Sequence, residues 1–158
     1  MADITYERRQ WLRLLWLALP LAALALAWRH LHATGGLGSP SPSRPLLAAA
    51  LGLGVPGLVL LLLGCLTVQV DARALRWHFG FVGWPRWQVA LADIAAIELT
   101  RTRWYEGTGI HRTREGWLYN AGPGGAVRIR LKSGRQLRLG SDEPERLAAF
   151  VTRRLRPP

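Results

Sequence analysis

The sequence predicts a two-helix transmembrane hairpin followed by a small β-barrel or sandwich of about seven antiparallel strands, capped by a C-terminal amphipathic α-helix. Three observations carry this reading. Two long apolar runs occupy residues 14–28 and 46–66. From Thr67 onward apolar and polar residues alternate with period two, the signature of half-buried strands. From Asp142 onward the period becomes helical. The expected units are residues 1–66, with helices at about 11–31 and 46–66, and a cytoplasmic β-domain over 67–158.

The first run, LLWLALPLAALALAW, is free of charge and bracketed by Arg13 and Arg29. It is short for a bilayer, which needs about 20 residues, but Trp11, Leu12, Arg13 and Leu31 extend it. Pro20 lies mid-run, a position tolerated in membrane helices. The second run, LLAAALGLGVPGLVLLLLGCL, holds 21 residues without a charge. Gly52, Gly54, Pro56 and Gly57 cluster in its first half, which suits a kink or a close helix–helix contact. The connection HLHATGGLGSPSPSRP reads as an exposed loop. Arg8, Arg9 and Arg13 precede the first helix and Arg73, Arg76 and Arg86 follow the second, whereas only Arg29 and Arg44 lie between. That bias predicts a multi-pass protein of the inner membrane with both termini cytoplasmic.

Strands are expected at 67–71, 75–79, 86–91, 94–103, 117–120, 126–131 and 136–140. Trp117 and Tyr119 share one face of the fifth and Leu118 takes the other. The helix that follows has Asp142 as N-cap and Glu145 as its capping-box partner. Leu147, Phe150, Val151 and Leu155 form its apolar stripe.

This plan resembles the bacterial pleckstrin-homology-like (PH-like) domains that follow transmembrane helices in small membrane proteins. The resemblance rests on TVQVDARALRWHFG, VALADIAAIE, GTGIHRTREGWLYN, AVRIRLKSGRQLRLG and SDEPERLAAFV, and covers residues 66–155. It implies a fold and a membrane location. It implies no biochemical activity and no catalytic residues.

Little in the chain points to catalysis. His30 and His32 lack a companion carboxylate or thiolate, and Cys65, the single cysteine, lies in an apolar run. That excludes a Cys-based zinc cluster and an intrachain disulfide. Ser133 and Ser141 have no triad context. Gly122-Pro-Gly-Gly125 lacks the lysine and helix of a phosphate loop. Glu106 and Glu115 read as surface partners of Arg103, Arg112 or Arg114. No enzymatic activity, cofactor or metal is expected.

The charge is more informative. The chain carries 21 Lys+Arg against 10 Asp+Glu, a net +11. Residues 66–158 hold 16 basic and 8 acidic residues, which leaves +8. Nucleic acid is the charge-based alternative, but two spanning helices argue against it. The expected partners are membrane lipids or a protein, including further copies of the chain. The expected contact residues are Arg112, Arg114, Trp117 and Tyr119, with Arg101 and Arg103 beside them. The function expected is that of a non-enzymatic interaction module, the alternative being a structural subunit that assembles through its helices.

Overall fold

A computed structural model describes residues 6–33 and 43–155. The chain opens with a strand, β1 (Tyr6–Trp11), followed by two helices, α1 (Arg13–Ala33) and α2 (Ser43–Leu63). Strands β2 (Cys65–Val70), β3 (Ala74–Phe79), β4 (Arg86–Ala90) and β5 (Ile94–Thr102) come next. They are followed by β6 (Gly109–Thr113), β7 (Gly116–Asn120), β8 (Gly124–Leu131), β9 (Gln136–Gly140) and helix α3 (Pro144–Leu155).

The strands form two sheets. Sheet A has the order β1-β2-β3-β4 and sheet B the order β5-β8-β9-β7-β6. Sheet A is antiparallel throughout, with Tyr6 opposite Val70 and Leu75 opposite Val89. Sheet B contains one parallel pair, β7 with β9, because the tight β8–β9 hairpin inserts β9 between β8 and β7. Gly116 makes that pairing possible: a Cβ there would come within 2.0 Å of the Gln136 carbonyl oxygen, and its φ is +116°.

The inner faces of the sheets make one core. Leu66, Val70, Leu75 and Phe79 of sheet A are fully buried, as are Val127, Ile129 and Leu139 of sheet B. Each such side chain stabilises the fold by roughly 1.5–3 kcal/mol. Helix α3 adds Leu147 and Val151, fully buried, with Phe150 and Leu155 packed beside them. It also joins β1: Tyr6 meets the Phe150 ring and Arg8 pairs with Glu143. Leu147 N–H donates to the Glu143 carbonyl and Glu143 N–H to Ser141 Oγ. The helical bonding therefore begins at Glu143, after a turn held by Ser141, and the expected Asp142 side chain accepts no capping hydrogen bond among the described residues.

The β2–β3 turn is held by Asp71. Its Oδ1 accepts from the backbone N–H groups of Arg73 and Ala74 at 2.7 and 2.6 Å, and Arg76 pairs with Oδ2 at 3.1 Å. Those backbone donors, Arg73 first, hold the Asp71 carboxyl below the ordinary carboxylate range against the opposing effect of burial.

Helices α1 and α2 form an insertion between the paired strands β1 and β2. Their base is tied to sheet A. Trp16 Nε1–H and Leu12 N–H donate to the Gly64 carbonyl, and Phe81 N–H donates to that of Leu61. Gly80 permits the close approach, since a Cβ there would meet the Leu62 carbonyl oxygen at 2.3 Å. Beyond the base the helices leave leucine exposed, including Leu17, Leu24 and Leu53.

Two expectations are corrected. Both apolar runs are helical, yet among the described residues no helix is long and apolar enough to cross a membrane. The charge-free stretch of α1 covers residues 14–28, about 22 Å at 1.5 Å per residue against about 30 Å of hydrocarbon. The second run loses its end, because α2 stops at Leu63 and Cys65 and Leu66 enter β2 fully buried. The transmembrane hairpin and the multi-pass inner-membrane location therefore fall, and with them the cytoplasmic placement of both termini, which presupposed spanning helices. The expected 30–45 loop lies largely outside the described residues, and His30 and His32 belong to the last turn of α1. The second correction concerns the seven-strand PH-like plan. Among the described residues nine strands lie in sheets of four and five. The added ones are β1, which precedes the helices, and β6, which sequence reading placed in an exposed connection.

Candidate functional site

The stretch GIHRTREGWLYN folds as the β6–β7 hairpin. Thr113 and Gly116 close it, with Arg114 and Glu115 at the tip. Thr113 Oγ1 donates to the Gly116 carbonyl at 2.8 Å. Among the described residues, sheet order makes β6 an edge strand and β7 its only hydrogen-bonded neighbour.

Alternation sends the hairpin's side chains to two faces. Ile110 lies opposite Tyr119 and Arg112 opposite Trp117, so these four share the inner face. Trp117 and Tyr119 continue an aromatic column from the core. Trp77 stacks on Trp87, Trp87 meets Tyr119 at 4.8 Å between centroids, and Tyr119 stacks on Trp117 at 6.4 Å. Trp77 is 2% exposed and Trp117 42%, so the column emerges at the hairpin. Burial pushes the Tyr119 hydroxyl pKa up, with Arg135 acting in the opposite sense. Arg112 and Arg114 are exposed at this mouth.

The outer face is built differently. Glu98, Arg128, Arg138, Leu118 and His111 lie in register across β5, β8, β9, β7 and β6. The segment from Arg103 to Thr108, with a 3-10 turn at Trp104–Glu106, runs over this face. Glu106 accepts from Arg138 Nη2 at 2.5 Å, the Gly107 carbonyl from Asn120 Nδ2 at 2.8 Å, and His111 Nε2 lies 2.6 Å from the Thr108 carbonyl. Beneath them Leu118 is fully buried and Arg138 is 6% exposed. Glu115 reaches back from the hairpin tip to Arg128 at 2.8 Å and to Arg138 Nε at 3.8 Å, and Glu98 pairs with Arg130 and Arg128. The result is a ladder of alternating charge. The Arg138 hydrogen bond, ahead of every other influence, holds the Glu106 carboxyl below its ordinary range.

The six expected contact residues do not form one patch. Arg112, Arg114, Trp117 and Tyr119 gather at the hairpin. Arg101 and Arg103 lie at the end of β5, the opposite edge of sheet B. Four strand spacings separate those edges, about 19 Å. Arg103 turns onto Tyr105, with its guanidinium 5.7 Å from the ring centroid and hydrogen-bonded to the hydroxyl. Arg101 borders a separate cavity of about 850 Å³ with Thr102, Gly125, Ser141 and Asp142. Glu106 forms its ion pair with Arg138 and also accepts from the Arg103 backbone N–H at 2.7 Å, whereas Glu115 pairs with Arg128 and Arg138 and not with the expected Arg112 or Arg114.

Sequence reading missed Trp87 and Arg138. Trp87 was legible as a strand residue, but its contact with Tyr119 joins two sheets. Arg138 looked like any strand arginine, and its burial depends on Glu106 thirty-two positions away. Among the described residues no group of three or more His, Cys, Asp or Glu side chains is placed to hold a metal ion. No carboxylate there lies within ion-pairing distance of Arg101, Arg112 or Arg114. No protein-family model matches this chain, and no curated protein matches it.

Proposed function

We propose that this chain is a non-enzymatic interaction module that engages an anionic partner through the β6–β7 hairpin. One observation carries the reading. Within a single sheet, Arg128, Arg130 and Arg138 are each paired to a carboxylate, whereas Arg112 and Arg114 are exposed and have none among the described residues. They border Trp117, whose half-exposed ring offers apolar area beside the charge. Arginine is suited to this task because it stays charged and binds carboxylate or phosphate in a bidentate fork.

The test uses the full chain and hexaglutamate as anionic probe, read by tryptophan fluorescence. Binding should weaken steeply with salt and fall at least tenfold in Arg112→Ala/Arg114→Ala. Binding that ignores both salt and the double substitution overturns the proposal.

A second reading has its own support. Leu17, Leu24 and Leu53 are 66, 67 and 73% exposed, so the helix pair offers an apolar surface that the described residues do not cover. Assembly of several copies through it would bury that surface. Native mass spectrometry of the full chain should then show an oligomer that Leu24→Gln/Leu53→Gln dissociates. A monomer in both removes this reading.

A further inference from the structure

The free edge of β6 adds a second recognition element to the arginines. In the hairpin, the Thr113–Gly116 pair closes a two-residue turn. Hydrogen-bonded and non-hydrogen-bonded pairs alternate from there. His111 and Gly109 therefore exchange backbone hydrogen bonds with β7. The N–H and C=O groups of Ile110 and Arg112 point the other way, toward an edge with no strand partner among the described residues. The residues that present this open backbone are also those whose side chains share the face of Tyr119 and Trp117.

We propose that an extended, acidic segment of a partner protein docks on β6 as a sixth strand of sheet B. This rests on the anionic-partner reading above and names the class of partner. Backbone groups of Ile110 and Arg112 would supply the strand pairing. Alternate side chains of the segment would face Ile110, Arg112 and Trp117, because side chains repeat every second residue. Carboxylates at those positions would meet Arg112, and Arg114 at the tip.

Charge selects this occupant over a second copy of the chain. Pairing β6 with another β6 would bring the Arg112 and Arg114 guanidinium groups of both copies together, and like charges facing across strands destabilise the pair. Arginine on an edge strand is also a device against self-pairing. Such a device leaves an acidic strand as the favoured addition. A lipid surface offers anionic groups but no backbone for the open edge of β6.

The experiment titrates the full chain with the acetylated, amidated peptide Glu-Val-Glu-Val-Glu. A second peptide carries N-methyl groups on alternate amides. Vesicles of phosphatidylserine form the third arm. The unmodified peptide should bind and slow amide hydrogen exchange at Ile110 and Arg112. N-methylation on the pairing amides should weaken binding about tenfold, the loss expected for two exposed backbone hydrogen bonds. Equal binding of both peptides, with no protection at Ile110 and Arg112, overturns strand addition and leaves the anionic-partner reading intact. Binding of the vesicles without binding of either peptide transfers the site to lipid and also overturns strand addition. Failure of the peptides, the vesicles and hexaglutamate alike removes both readings.

Discussion

Arg138 and Arg112 stand two strands apart in sheet B and have opposite environments. Arg138 is buried under Glu106 and flanked by Glu115. Arg112 is exposed across from Trp117 with no carboxylate partner among the described residues. The difference follows from which face each occupies. The outer face is crossed by the 103–108 segment, which brings a carboxylate and excludes water. The inner face at β6 opens at the end of the aromatic column, where nothing else in the described chain closes over it. Identical side chains thus hold the fold together in one place and remain available in the other.

The strongest way to break this contrast is Arg138→Met. It keeps the apolar stem but leaves Glu106 partly buried without its cation, which should cost about 2 kcal/mol. For a chain of this size that lowers the melting temperature by roughly 4–8 °C in thermal denaturation. An unchanged melting temperature would mean that the ladder contributes nothing.

Acid should erase the same contribution. The folded Glu106 carboxyl ionises below its unfolded value of about 4.3. Its stabilisation is therefore complete above that value and disappears as pH falls through the lower, folded one. The stability gap between the native chain and Arg138→Met, measured by urea denaturation, should hold at pH 6 and narrow below about pH 4. A gap that widens in acid contradicts the assignment.

Arg128→Ala probes the exposed end of the ladder. Its partners Glu98 and Glu115 are both nearly half exposed, so a loss of only about 0.5–1 kcal/mol is expected. A loss as large as that of Arg138→Met would show that burial does not set the ranking. At the far end, Arg112→Ala/Arg114→Ala should change stability by less than about 0.5 kcal/mol, while weakening hexaglutamate binding at least tenfold. A destabilised double variant would return these arginines to the fold.

The two strands hidden from sequence reading, β1 and β6, are both sheet edges. Central strands such as β3 are buried strongly enough to force alternation, as in Leu75, Trp77 and Phe79. An edge strand is solvated along one side, so TYERRQW and GIHRT carry charge and read as lead-in or loop. Arg112 and Trp117, expected near one another, lie opposite each other because a local turn joins their strands. Grouping Arg101 and Arg103 with them failed because nearness in sequence did not survive the crossing from β5 to β6, the two edges of sheet B. The apolar runs were legible as helices, but their usable length depended on where α2 gives way to β2.

By itself the sequence determined the local periods: strands where apolar residues alternate over a core face, helices where apolar residues run on or recur at helical spacing, and an excess of arginine throughout. These follow from chain geometry and side-chain chemistry within a few residues. Tertiary structure decided which strands became edges, which arginines acquired carboxylates, and where the aromatic column reached the surface. Those outcomes depend on contacts between residues far apart in sequence, such as Arg138 with Glu106 and Trp87 with Tyr119. No local pattern encodes such partners, because each is supplied only when the two sheets pack and the segment between the edges of sheet B crosses its outer face.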